Sequence, residues 1–599
     1  MRRAATQLLR SGRRPLIRSV HRGRSSNGLN RATRKDEDDI LRNGQLLPSS
    51  MYFRSFSIAL VSSLVATGAY FTYRAGPGQQ GDIKLGNSPV STAVTQNRGF
   101  ASDNGMPSGG LATSQGVEQQ PTRKALVVDN YQIYTGTITG TEPLSKTTDD
   151  QGRKILEMMT PEQATQRIRR NEESYWVGRG KGVVRYDVVQ LPSNDPIEDD
   201  HAEKIIEAPH DVTSSSSSND WMFWGVFDGH SGWTTSAKLR QLLISYVARE
   251  LNTTYTSSTG SQTPIPSSSS IDAAIKRGFL ALDKTIVQDS VAQVLQNKSK
   301  AQAASLLAPA LSGSCALLSF YESSSKTLRV AVTGDSRAIL GRRSASDASK
   351  WVALPLSVDQ TGGNEAEAAR LRAEHPGEPD VVRNGRVLGG LEPSRAFGDA
   401  SYKWSKEIQK AVKNEYFGRT ANPMIRTPPY VTAEPVVTTQ QIQPERGDFV
   451  VMATDGLWEM LTNEEVVGLV GSWLEQHPEA QRGVRASTDG SASKNTSQTD
   501  NWLSSWFSSQ KLGNTNELSV VGDSPDTSSA GGQRAPIRQQ QWGLKSSANG
   551  KNGAPASSRF VVEDKNAATH LIRNALGGAN TDMMCALLTL PSPYSRRYR

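Results

Sequence analysis

Cysteine is nearly absent from this chain: only Cys315 and Cys585 occur among 599 residues, each inside an apolar run. Two such thiols cannot build a disulfide framework or a Cys-x-x-Cys zinc site, and both read as buried, inert groups. Neither opens a Cys-x5-Arg loop, so covalent catalysis by a thiolate held over an anion-binding loop has no nucleophile here. The seven His residues form no close ligand pairs. Acid is missing altogether from the first 35 residues, which carry ten Arg and one Lys. The formal charge of +9 is therefore an end effect, because the rest of the chain has 57 basic against 59 acidic side chains. A near-neutral body lacks the electrostatic footprint of a nucleic-acid binder, which argues against nucleic acid as a partner. No internal repeat is evident.

What is present begins with targeting. The acid-free, Arg- and Ser-rich start, with Leu8, Leu9, Leu16, Ile17 and Val20, has the composition of a mitochondrial presequence over residues 1–35. Ser55 to Tyr73 is uncharged, flanked by Arg54 and Arg74, and close to the roughly 20 residues a membrane span needs. It predicts an inner-membrane anchor or a stop-transfer signal, with the matrix or intermembrane-space side left open. Residues 75–123, rich in Gly, Ser, Gln and Asn, read as a flexible tether. The folded domain is expected over 126–592.

Within it, Thr160-Pro161-Glu162-Gln163 places an N-cap, a first-turn Pro and a capping-box Gln in register for a helix. Trp233 to Leu251 and Ile271 to Val287 carry helical apolar spacing, the second with Ser270 as its cap. Asn384-Gly385 marks a hairpin turn, Thr462 with Glu465 caps another helix, and Asn566 to Leu576 forms the last, stopped by Gly577. Polar stretches at Thr213 to Ser218, Thr253 to Ser269 and about 485–558 read as loop insertions. The third is long enough to be disordered, and its Trp502, Trp506 and Trp542 read as incidental aromatics, with a partner-docking or membrane-surface motif as the alternative.

The most informative pattern is a repeated one. The apolar run Trp221 to Phe227 ends in Asp228-Gly229-His230, Leu328 to Val332 leads to Gly334-Asp335-Ser336, and Phe449 to Ala453 leads to Thr454-Asp455-Gly456. A last apolar stretch, Met583 to Leu590, follows directly on Asp582. Short runs bounded by Gly and Asp read as buried strands. Carboxylates gathered where strands end make a cage of hard oxygen ligands suited to Mg²⁺ or Mn²⁺.

With Ile197-Glu198-Asp199, Ser312-Gly313-Ser314, Pro393 to Asp399 and Ala453 to Glu459 in the same order, this set resembles the metal-dependent serine/threonine protein phosphatases of type 2C. Met159 to Gln163, Asn171-Glu172 and Leu191 to Asp199 are similar to the mitochondrial pyruvate dehydrogenase phosphatase branch and its fungal relatives. The resemblance implies an α+β fold, an α/β/β/α sandwich of two antiparallel sheets flanked by helices, with the metal centre at one end of the sheets.

It further implies hydrolysis of phosphoserine or phosphothreonine by a water activated between two Mg²⁺ or Mn²⁺ ions, with no covalent intermediate. Asp228 would bridge the ions; the Gly229 carbonyl, Asp455 and Asp582 would complete the coordination, with Glu198 acting directly or through water. Asp335 and Glu459, with Asp455, correspond to a weaker third metal position, where Glu459 stands in place of the usual Asp. His230 is the expected proton donor to the leaving oxygen. Arg395 and Asp399 are expected in structural roles such as a loop salt bridge. Asn194 occupies the place of a phosphate-holding Arg, supplying a hydrogen bond without charge, so phosphate binding needs another cation. Met583 stands where Asn or Asp often follows the final ligand. The implied partner is a phosphoprotein, the E1 subunit of the pyruvate dehydrogenase complex, in the mitochondrion at the inner membrane. The alternative is a catalytically inactive phosphatase-fold binding or scaffold protein.

Overall fold

Two neighbouring residues of the strand Asp220–Phe227, Met222 and Phe223, are both fully buried yet join different apolar clusters. Successive strand side chains point to opposite faces, so a strand buried on both must lie inside a layered structure. The computed structural model describes residues 121–208, 219–258, 266–481 and 559–597, apart from positions 130, 131, 145 and 150. The segments read above as presequence, membrane segment and Trp-bearing insertion, and nearly all of the tether, lie outside the described residues.

Five antiparallel strands form the first sheet, in the order Val436–Gln441, Thr327–Thr333, Ala316–Glu322, Asp220–Phe227, Asp200–Glu207. The second has Arg337–Arg343 between Trp351–Pro355 and Phe449–Ala453. Met222, Leu317 and Val332 of the first sheet meet Ala338 and Leu340 of the second in one buried cluster, so the sheets pack face to face. On the outer face of the first, Phe223, Leu318 and Phe320 pack against Leu243 and Phe279 from the helices Thr234–Ser258 and Ser268–Lys284. Ile339 and Trp351 do the same against Val466, Val470 and Trp473 of the helix Asn463–Gln476. The expected α/β/β/α sandwich is thus present. Phe223 and Phe320 stack with ring centroids 5.0 Å apart, and burial of each ring contributes on the order of 1.5–3 kcal/mol.

Local signals shape these elements. The capping boxes at Thr160 and Thr462 are both formed, and Asn566 caps the helix Ala567–Ala575. Asn384 and Gly385 both have positive φ in the tight turn between Val382–Arg383 and Arg386–Val387, a turn conformation that Asn-Gly adopts readily. Two expectations shift: Ser267, not Ser270, caps the helix Ser268–Lys284, and residues 253–258 continue a helix instead of opening a loop.

A third sheet, in the order Gln132–Thr139, Thr122–Asp129, Lys154–Glu157, begins a few residues before the expected start at 126. It packs against Ile168 and against Met583, Cys585 and Leu587 of a closing helix, Thr581–Thr589. The expectation that Met583 to Leu590 is a strand is therefore wrong. Its Met, Cys, Ala and Leu are not β-branched, and the Asn580 side chain accepts from the Met583 N–H as an N-cap. Among the described residues no helix is long and apolar enough to cross a membrane.

His570 is fully buried; its Nε2–H donates to the Leu469 carbonyl at 3.1 Å and its Nδ1 accepts from Asn574 at 3.2 Å, which fixes the neutral tautomer. Burial lowers its pKa from 6.5 to about 4. Above 6.5 both folded and unfolded states are neutral; below it the unfolded chain takes up a proton that the folded one refuses. Stability should thus fall between pH 6.5 and about 4, by up to about 3 kcal/mol from this group. Denaturant titrations across that window should show a smaller loss in His570→Gln than in the wild type.

Candidate metal centre

Three strand ends from two different sheets meet at one point. Asp228 follows the strand Asp220–Phe227 and Asp455 follows Phe449–Ala453, while Asp335 lies in the turn that carries the chain from one sheet into the other. Gly334 makes that turn with φ +107°, and a Cβ there would overlap the Cys315 sulfur. Arg337 anchors the same turn from below: its guanidinium grips both Asp359 oxygens at 2.9 and 2.5 Å, donates to Asn463 at 3.0 Å and lies over the Trp458 ring. Carboxylate oxygens of Asp228, Asp335 and Asp455 lie within 4.8 Å of one another.

Asp199 joins them, accepting from the Thr454 hydroxyl at 3.3 Å and from the Gly229 N–H. Burial, then repulsion from Asp199, Asp455 and Asp335, pushes Asp228 well above the usual carboxylate range. Asp455 is raised by burial and by Asp335, Glu459 and Asp199, and Asp199 reaches about 6, mainly through burial. Glu459 is raised by burial and then by Asp335, which places its charge beside the same cluster. Among the described residues, Asp199, Asp228 and Asp455 form no ion pair with Lys or Arg. A set of partly buried, mutually repelling carboxylates is the donor chemistry that hard divalent cations satisfy, so the residues fit such an ion. Gly229 has no room for a side chain, since a Cβ would overlap the Glu198 carbonyl oxygen.

Beside the cluster, a three-strand ladder sets a second pair. Gly229–His230 pairs with Gly313–Ser314, which pairs in turn with Phe397–Gly398. This ladder brings Asp399 and His230 to either side of Gly313, where a Cβ would overlap both side chains. His230 Nε2 and Asp399 Oδ2 are 2.6 Å apart. Burial works against the imidazolium, but the charge and hydrogen bond of Asp399 outweigh it and hold His230 above its ordinary pKa. The salt bridge expected in this motif belongs to Arg395, which pairs with Glu367 at 2.7 Å, while Asp399 serves His230.

The other two predicted carboxylate ligands are not among the three of the cluster. Glu198 accepts from the Gly232 N–H at 2.8 Å, from Asn194 at 2.5 Å and from Arg596 at 2.8 Å, and its carboxylate is not one of the three clustered ones. Asp582, in the first turn of the helix Thr581–Thr589, is half exposed and paired with Lys124 at 2.6 Å. The structure therefore does not bring Asp582 to the cluster. Met583 points into the closing core, which accounts for an apolar residue there. Cys315 and Cys585 are buried free thiols, and Cys315 Sγ lies 3.2 Å from Asp335. Two residues were not singled out from sequence. Asp199 adjoins Glu198 in an acidic run that gave a usable signal, whereas Arg596 is brought to Asn194 across 402 positions with no local signal at all.

Residues 194–499 match the family model for protein phosphatase 2C. A protein phosphatase 2C homolog of Schizosaccharomyces pombe is 42% identical over 436 residues, covering 73% of this chain and 82% of its own length. The mitochondrial pyruvate dehydrogenase phosphatase 1 of Saccharomyces cerevisiae is 43% identical over 437 residues, covering 72% and 69%. Human mitochondrial pyruvate dehydrogenase phosphatase 2 is 29% identical over 507 residues, covering 74% and 82%. On the sandwich, the carboxylate cluster and these matches together, the chain belongs to the protein phosphatase 2C family of metal-dependent protein serine/threonine phosphatases.

Proposed function

We propose that this chain removes phosphate from serine or threonine of the pyruvate dehydrogenase E1 subunit in mitochondria, using Mg²⁺ or Mn²⁺. The carrying observation is the partly buried cluster of Asp228, Asp335 and Asp455, which would hold the cation with Asp199 and Glu459 alongside. When bound, the metal supplies an activated water and charge stabilisation for the transferring phosphoryl group. His230, whose protonated form Asp399 favours, stands beside the cluster to deliver a proton to the leaving alkoxide. Asn194 orients Glu198 and offers a neutral donor in the wall of the same cavity.

The mitochondrial substrate is supported by the names of the yeast and human relatives and by the acid-free start of the chain. Residues 55–73 would tether the enzyme to the inner membrane. Deleting the gene should raise E1 phosphorylation in isolated mitochondria, measured with a phospho-specific antibody; unchanged phosphorylation would remove E1 as the substrate. Carbonate extraction that frees the protein into the soluble fraction would remove the tether.

A further inference from the structure

Hydrolysis of a phosphate monoester dianion next to a cluster of carboxylates calls for a fixed positive charge to receive the substrate, and Asn194 does not carry one. We propose that Arg596, delivered from the carboxyl-terminal end of the chain, is the cation that binds the substrate phosphate beside Asn194. The inference rests on the phosphatase reading above and names a binding residue for it.

Arg596 lines the same cavity, of about 940 Å³, as Asn194, Asp199, Asp228 and Asp455. Its Nε donates to the Asn194 carbonyl oxygen and its Nη2 to Glu198 Oε2 at 2.8 Å. These two bonds use one edge of the guanidinium. Nη1 makes no hydrogen bond among the described residues, and the side chain is 54% exposed. A planar fork held along one edge and open along the other is the geometry that grips a phosphate through two parallel N–H donors.

The segment that carries Arg596 is itself docked. Ser595, 1% exposed, donates its hydroxyl proton to the Ser193 carbonyl at 2.6 Å. Tyr594 packs on the closing core, with the Lys154 ammonium over its ring at 4.9 Å. Two consecutive residues thus fix the chain immediately before Arg596, against the segment that precedes Asn194. The other cations lining the cavity are committed elsewhere. Arg185 binds Asp187 and the Lys565 carbonyl, Arg343 binds the Ala348 carbonyl over Trp351, and Arg446 binds the Arg343 carbonyl.

The test uses the full chain with Mn²⁺ and a phosphoserine peptide, comparing wild type with Arg596→Ala, Arg596→Gln and Arg596→Lys. Both neutral variants should raise KM, and the inhibition constant of inorganic phosphate, by roughly ten- to hundredfold with a smaller change in kcat, as expected for losing one charge-assisted partner. Arg596→Lys should recover part of the loss. Calorimetric titration of inorganic phosphate into the Mn²⁺-loaded proteins gives the same comparison without turnover. If the wild type does not turn over, the phosphatase reading fails while phosphate binding still judges Arg596. Unchanged KM and phosphate affinity in an active Arg596→Ala enzyme would overturn the inference and leave the phosphatase reading standing. Faster turnover with unchanged phosphate binding would also overturn it, marking the carboxyl-terminal segment as a plug.

Discussion

Asp228→Asn should lower kcat for a phosphoserine peptide by on the order of a thousandfold or more while leaving the chain folded. Burial and three neighbouring acids resist the ionised form of Asp228, a cost that a cation joining the cluster would offset. Removing that charge removes an electrostatic partner of the cation and changes no apolar packing, because the residue lies past the end of its strand. In the presence of chelator the variant should be at least as stable to heat as the wild type, since one of several mutually repelling acids is gone. That pairing of lost turnover with kept or raised stability separates a metal-site residue from a structural one. Asp582→Asn provides the contrast. An exposed Lys124–Asp582 pair is worth about 0–1 kcal/mol, so this variant should keep both fold and most of its turnover. A loss as large as that of Asp228→Asn would show that the helix Thr581–Thr589 rearranges to bring Asp582 to the cation.

His230→Ala should cost roughly 10²- to 10⁴-fold in kcat on phosphoserine, the range for loss of a positioned general acid. The loss should be far smaller on an aryl phosphate, because a nitrophenolate departs without needing a proton while a serine alkoxide does not. Asp399→Asn should reproduce the pattern at lower amplitude. The imidazole keeps a hydrogen-bond partner, but the charge that favours its protonated form is gone. Equal losses on both substrates would reject the proton-donor role and leave His230 as a residue that shapes the ladder with Gly313.

The centre of the site was readable because its geometry follows from strand ends. Three apolar runs that stop at Asp become three strands stopping at one place, two of them in different sheets, and the pleat decides which neighbours face inward. Helix caps at Thr160, Thr462 and Asn566 were readable for a similar reason, being contacts over three residues. After Asp582 the expected strand gives way to a helix, because the Met-Met-Cys-Ala-Leu-Leu that follows favours one. Arg596 lay beyond reach because its partners, Asn194 and Glu198, meet it only in the folded chain. Asp399 was placed in a structural role because the proximity of Gly398 and Gly313, which puts it against His230, is a property of pairing and not of spacing.

The central claim is that the clustered carboxylates serve catalysis through a bound divalent cation. The most direct measurement is phosphate release from a phosphoserine peptide by the purified full chain, with Mn²⁺ or Mg²⁺ and after EDTA. Turnover that requires the added ion, stops with EDTA and returns when the ion is restored is the result expected. Turnover that persists in EDTA, or a folded, metal-bound protein that binds the phosphopeptide without releasing phosphate, would contradict it.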